Sequence, residues 1–138
     1  MDDVFLGKMA TIERCLRRVR DEYARDPENL RNITRQDSVV LNLQRACEAA
    51  IDLAMHIVSA RRLGVPKMTR DAFQMLADAR LVSGDVTHRM KKMVGFRNIA
   101  VHDYQAIDLA ILQHICDARL DDFNEFVQEL REAELLND

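Results

Sequence analysis

The sequence predicts an all-α fold, an antiparallel, up-and-down bundle of about five helices. Three observations predict it. Apolar residues recur every three or four positions along most of the chain, four glycines and two prolines are too few to interrupt it often, and 138 residues are enough to close one core. Residues 1–138 read as a single domain, with no internal repeat or low-complexity segment.

The first helix is expected over residues 3 to 24, where Phe5, Met9, Ile12, Leu16, Val19 and Tyr23 follow at steps of four and three and so share one stripe. Pro27, within Arg25-Asp26-Pro27-Glu28-Asn29, lacks the amide hydrogen a helix interior uses, and a loop belongs there. Thr34-Arg35-Gln36-Asp37 then resembles a helix start, and Val40, Leu43, Cys47, Ala50, Ile51, Ala54, Ile57 and Val58 keep the helical spacing. This second helix is expected to end near Leu63, with Gly64 at the cap and Pro66 beyond. Thr69 is expected to cap a short helix carrying Phe73, Leu76 and Ala77 that stops near Ser83-Gly84. Asp85 opens the next, with Val86, Met90, Met93 and Val94 inward. After polar residues from His102 to Gln105, a last long helix from about Asp108 to Glu134 turns Leu112, Cys116, Phe123, Val127 and Leu130 to the core.

Composition removes several function classes. No run of about 20 apolar residues exists and the opening Met1-Asp2-Asp3-Val4 is acidic where a secretory leader is basic, so neither membrane spanning nor export is expected and the cytoplasm is the default location. Cys15, Cys47 and Cys116 are odd in number and match no CxxC or Cys/His ligand spacing, so they read as small core residues, with no metal or cofactor implied. Against 20 basic residues stand 23 acidic ones, a net charge of −3, so any contact with nucleic acid needs a local basic patch.

One segment resists a purely structural account. Phe96-Arg97-Asn98-Ile99-Ala100-Val101-His102-Asp103-Tyr104 gathers an arginine, an amide, an imidazole, a carboxylate and a phenol where a core helix would be finishing. On an unbroken helix Arg97 and Tyr104 would sit two turns apart on one face, while His102 would lie roughly 140° around from Arg97 and about 7.5 Å along the axis. For guanidinium and imidazole to meet at one reacting group, either the backbone leaves helical geometry near Val101 or the two come from different subunits.

Arg97, four residues, His102, one residue and Tyr104 resemble the RxxxxHxY motif of the HEPN superfamily, and more narrowly of the HepT toxins. Phe96-Arg97-Asn98 and the all-helical layout are similar to that family too. The resemblance implies a HEPN-like homodimer and a metal-independent endoribonuclease, the toxin of a type VII toxin–antitoxin pair. It places Arg97 and His102 as the catalytic residues in a cleft between subunits, with Asn98 and Asp103 in supporting positions. Tyr104 would accept AMP from an MntA-like nucleotidyltransferase antitoxin, the expected protein partner, while RNA is the expected substrate.

The chemistry agrees with those roles. RNA carries its own nucleophile, the 2′-hydroxyl, so cleavage without metal requires only proton movement and stabilisation of charge on a five-coordinate phosphate. An imidazole titrates near neutral pH, and a guanidinium stays charged and presents a fork that matches phosphate oxygens. His102 is expected to act as base or acid, its dimer mate taking the opposite role. AMP on Tyr104 would block and repel RNA.

Rival readings exist for each feature. His56, His88 and His114 stand alone and read as structural or surface residues, and the methionines as core filler. The clusters Arg14-Arg17-Arg18-Arg20 and Arg61-Arg62-Lys67-Arg70 read as solvated faces, whereas Arg89, Lys91 and Lys92, about two turns before Arg97, are the candidates for guiding RNA. Two other functions fit the motif: a non-catalytic nucleotide- or protein-binding module, and an inhibitory partner of a toxic nucleotidyltransferase.

Overall fold

In the structure, a computed structural model that describes residues 1–137, the chain begins with α1, Asp3–Tyr23. Asp2 caps it, its carboxylate accepting from the Phe5 amide at 2.9 Å. Five residues of the expected stripe, Phe5, Ile12, Leu16, Val19 and Tyr23, are buried, and Met9 is half-buried. A 3₁₀ turn, Pro27–Arg31, occupies the expected loop and drops Leu30 into the core.

The second helix, α2, spans Ile33–Ala60 and runs antiparallel to α1, tied to it at both ends: His56 meets Asp2, Lys8 meets Asp52, and Arg35 donates to the Glu22 carbonyl. Every apolar position expected of α2 is buried. At about 1.5–3 kcal/mol for each large side chain, this helix is the centre of the hydrophobic core. Its ends correct the expectation. Asn32, not Thr34, caps it, accepting from the Arg35 amide, and it stops at Ala60 rather than Leu63. Arg62 (φ 54°) takes the left-handed helical conformation directly after the helix, the Leu63 amide reaches back to the Val58 carbonyl at 2.9 Å and folds Leu63 against the core, and Gly64 follows at a positive φ of 136°.

Helix α3, Thr69–Asp78, follows. Thr69 is its first residue rather than its cap, since Asp71 reaches back to the Lys67 and Met68 amides. It ends before Ser83-Gly84, again with an arginine, Arg80, in the left-handed region. Phe73 of α3 packs on Phe126, ring centroids 5.3 Å apart. Helix α4 spans Gly84–His102 and is capped by Ser83 instead of Asp85.

The last expected helix is interrupted. Helix α5, Leu109–His114, passes into a π turn at Ile115–Arg119 and then into α6, Asp121–Asn137. In α6 Phe123 and Leu130 are buried as expected, Phe126 between them is fully buried, and Val127 beside it is half-buried against the core. Asp117, in that turn, accepts from the Tyr23 hydroxyl at 2.5 Å. The three cysteines are free and buried, as expected. Among the described residues no helix is long and apolar enough to cross a membrane.

Helices α4 and α6 are joined antiparallel by charge. Arg89 contacts Asp122 at 2.7 Å, Asp85 at 2.9 Å, and Glu125, and Asp122 is 3% exposed. Removing one partner of a buried pair leaves the other charged in a poor solvent. Arg89→Ala is therefore expected to lower stability by about 3 kcal/mol in chemical denaturation. A loss below about 1 kcal/mol would mean that water already screens Asp122.

Candidate active site

Helix α4 continues without a break through His102, and only then does Asp103 leave helical geometry (φ −153°, ψ 65°), its amide still donating to the Ile99 carbonyl at 2.8 Å. Of the two routes that could bring guanidinium and imidazole together, a bend near Val101 is thus absent. Within one chain Arg97 and His102 stay roughly 140° apart around the axis and about 7.5 Å apart along it.

Their surroundings differ accordingly. Arg97 continues the inward stripe of Val86, Met90, Met93 and Val94, where the helical rhythm calls for an apolar residue. Its Nε is shut away from solvent with no hydrogen-bond partner, and among the described residues no carboxylate pairs with its guanidinium. Across from it on α2 lies Cys47. Burial pushes that thiol up to about 12, and the positive charge of Arg97 pulls in the opposite direction. Arg97 as a whole is half-buried, so its guanidinium is open to pair with an anionic ligand.

His102 is exposed, and among the described residues nothing hydrogen-bonds its ring. Asn98, one turn earlier on the same side of α4, is half-buried. Asp103 serves as the C-terminal cap of α4, and its carbonyl accepts from the Ala106 amide in a 3₁₀ turn at Tyr104–Ala106. Because the helix has ended, Tyr104 does not continue Arg97's face. Its hydroxyl instead donates to Asp37 near the start of α2. Tyr104 with Gln36, Val40, Gln105, Ile107 and Leu109 lines a cleft of about 320 Å³. Burial, followed by the bond to the Asp37 carboxylate, raises the phenol to about 12.

Asp37 is a site residue that sequence reasoning used only as part of a helix start. It lies 67 positions from Tyr104 and no local pattern links them. The RNA-guiding set changes too. Arg89 is occupied by its three carboxylates and is withdrawn from it, Lys91 donates to Gln74 Oε1 at 2.5 Å, and Lys92 is exposed. A cavity of about 750 Å³ between Arg20, Tyr23, Arg25 and Asp117 contains none of the motif residues.

Comparison with known proteins gives a consistent result. A family model described as ribonuclease HepT-like matches residues 12–130. The mRNA nuclease HepT of Shewanella oneidensis is 44% identical over 131 residues, 95% of this chain and 98% of that protein. The solved structure of the tri-AMPylated Shewanella oneidensis HEPN toxin in complex with MNT antitoxin is similar at a TM-score of 0.91 and 44% identity, covering 96% of this chain and 99% of the other. A toxin–antitoxin structure with AMP-PNP matches at a TM-score of 0.90 and 44% identity, covering 94% and 99%. At 16% identity the cytosolic Bacillus subtilis protein YutE shares the fold, with a TM-score of 0.72 over 94% of this chain and 92% of the other.

The chain has two tyrosines and no tryptophan, so phenolate absorbance can be followed cleanly. Burial is the larger cause at both, aided by Asp117 at Tyr23 and Asp37 at Tyr104, and both phenols are raised. Neither should ionise near pH 10, and Asp37→Asn should move Tyr104 part of the way back down. Since raised phenols favour the protonated fold, stability should hold below pH 10 and decline as pH climbs from there toward 12. Two phenolates titrating near 10 in the folded chain would contradict these contacts.

Proposed function

The chain belongs to the ribonuclease HepT-like family, and from that premise we propose that it is the toxin of a toxin–antitoxin pair, an endoribonuclease that acts in the cytoplasm as a homodimer. The observation that carries the reading is the unpaired guanidinium of Arg97 on the inward stripe of α4, with the free imidazole of His102 on the other side of the same helix. One chain holds both groups and does not converge them. A second copy, related by a two-fold axis, can set its His102 against the Arg97 of the first. Ile99, Val101, Leu109 and Ile111 are each at least 39% exposed around the motif, an apolar surface that such a copy would cover.

In that cleft the fork of Arg97 holds the non-bridging oxygens of the scissile phosphate and stabilises the charge that builds on them. His102 takes the proton of the 2′-hydroxyl, whose oxygen attacks phosphorus. The bond from phosphorus to the 5′-oxygen breaks, and that oxygen takes a proton from solvent. The products are a 2′,3′-cyclic phosphate and a 5′-hydroxyl. No step calls on a metal ion, and Asn98 and Asp103 support the two reacting side chains from one turn before His102 and from the helix cap.

Regulation follows from Tyr104. The similar toxin is tri-AMPylated in complex with an MNT antitoxin, and we place the acceptor here at the Tyr104 hydroxyl, with a nucleotidyltransferase of that kind as partner. An AMP on that oxygen removes the proton now given to Asp37 and sets an anionic phosphodiester beside the cleft, which repels the RNA backbone.

Purified dimer in excess chelator is expected to cut RNA, to leave an all-deoxy strand intact, and to lose at least about 100-fold in rate on His102→Ala or Arg97→Ala. Dependence on added metal, or cleavage that survives either substitution, would overturn the mechanism. Co-production with a nucleotidyltransferase of the MNT kind should add multiples of AMP to the intact mass, and Tyr104→Phe should abolish the addition. Retention of AMP by that variant would place the acceptor elsewhere.

A further inference from the structure

The helix that carries His102 holds Gly95 in its interior, a residue that weakens a helix and so needs a reason. A Cβ built on Gly95 would come within 2.8 Å of Nη2 of Arg70, from the first turn of α3. The glycine is the seat on which that guanidinium lies against the backbone of α4. Arg70 has no ion pair among the described residues.

The stripe of α4 that holds this seat leads to the imidazole. His88, Lys91, Gly95, Asn98 and His102 follow at steps of three and four, which puts them in one line along the helix. No carboxylate belongs to that line. Asp85, the single acid of α4, pairs with Arg89 on a different side of the helix. The nearest acids of α3 are engaged as well, Asp71 with two backbone amides and Asp78 with Gln74. Gln74 in turn holds Lys91. The line itself thus carries basic and neutral side chains only, and α3 supplies Arg70 and, through Gln74, holds Lys91.

Resting on the ribonuclease reading above, we infer that Arg70, seated on Gly95, is a phosphate-binding subsite for the RNA backbone, positioned on the stripe that ends at His102. Gly95 lies seven residues before His102, about 10 Å along the axis, too far to serve the scissile phosphate and suited to a neighbouring one. The guanidinium offers a fork to phosphate oxygens and ignores the base, so it acts on register and affinity without selecting sequence. Arg70 is a positioning residue. It takes over the guiding role that Arg89, bound by three carboxylates, does not fill.

The test is binding of a short all-2′-O-methyl oligoribonucleotide, which no 2′-hydroxyl chemistry can cut, to the full-length chain. Arg70→Ala should weaken binding about tenfold, the loss of one charge-assisted contact, and should flatten the slope of log affinity against log salt by about 0.7. Gly95→Ala improves helix propensity and alters no charge, yet it should reproduce most of the loss by pushing the guanidinium off its seat. Arg17→Ala, on exposed α1, should leave binding unchanged. Unaltered affinity in Arg70→Ala, a Gly95→Ala variant that binds like the parent, or an equal loss in Arg17→Ala would each overturn the subsite. A separate assay with a ribodinucleotide, which has only the scissile phosphate, reads the nuclease itself: both variants should cut it at the parental rate. Failure of the parent to cut would count against the ribonuclease reading, while the binding series would still decide the subsite.

Discussion

The straightness of one helix end governs this molecule. Because α4 keeps its hydrogen bonds through His102, Arg97 falls on the inward stripe and His102 faces solvent, on different sides of one helix. The half-buried guanidinium has no carboxylate partner among the described residues. On the proposed reading function and quaternary structure become the same question, since a second copy would both supply the missing group and cover the apolar residues left exposed beside it.

The rest of the bundle holds that helix end in place. Helix α2 is buried along most of its length and supplies both Cys47 opposite Arg97 and Asp37 opposite Tyr104, so the two ends of the motif are referenced to one rod. From the other side Arg89 fixes α4 to α6 through three carboxylates, while Ser83, the cap of α4, is gripped by Glu129 through both its amide and its hydroxyl. These contacts use polar groups where apolar ones would have served stability as well. Their gain is a defined register between helices, which a two-fold site needs.

The features that were legible in sequence are those encoded by spacing. The inward stripes of α1, α2 and α4 follow from steps of three and four, and the Arg97, His102, Tyr104 pattern is what points to the proposed site. What sequence did not disclose depends on contacts between distant segments. Arginines take the left-handed positions after α2 and α3 because packing of Leu63 and the backbone bonds behind it decide where the helix turns, and this overrides the usual preference for glycine. The π turn at Ile115–Arg119 has no local signature, and neither has Asp37 as the partner of Tyr104. Arg89 and Arg70 exchange their expected parts. Arg89 belongs to a basic cluster in sequence and is bound by acids in the fold, whereas Arg70, by sequence one more solvated cation, lies across a glycine seat.

The central claim, that Arg97 of one copy works with His102 of the other, is tested most directly by mixing two dead variants. Arg97→Ala and His102→Ala chains, co-refolded in equal amounts, form heterodimers in half of the population, each with one intact pair. Recovery of about a quarter of the parental cleavage rate is the result expected of a shared site. If the mixture stays as inactive as its components while light scattering and mass analysis show that heterodimers have formed, the reacting groups do not pair across the two-fold axis and the account is wrong.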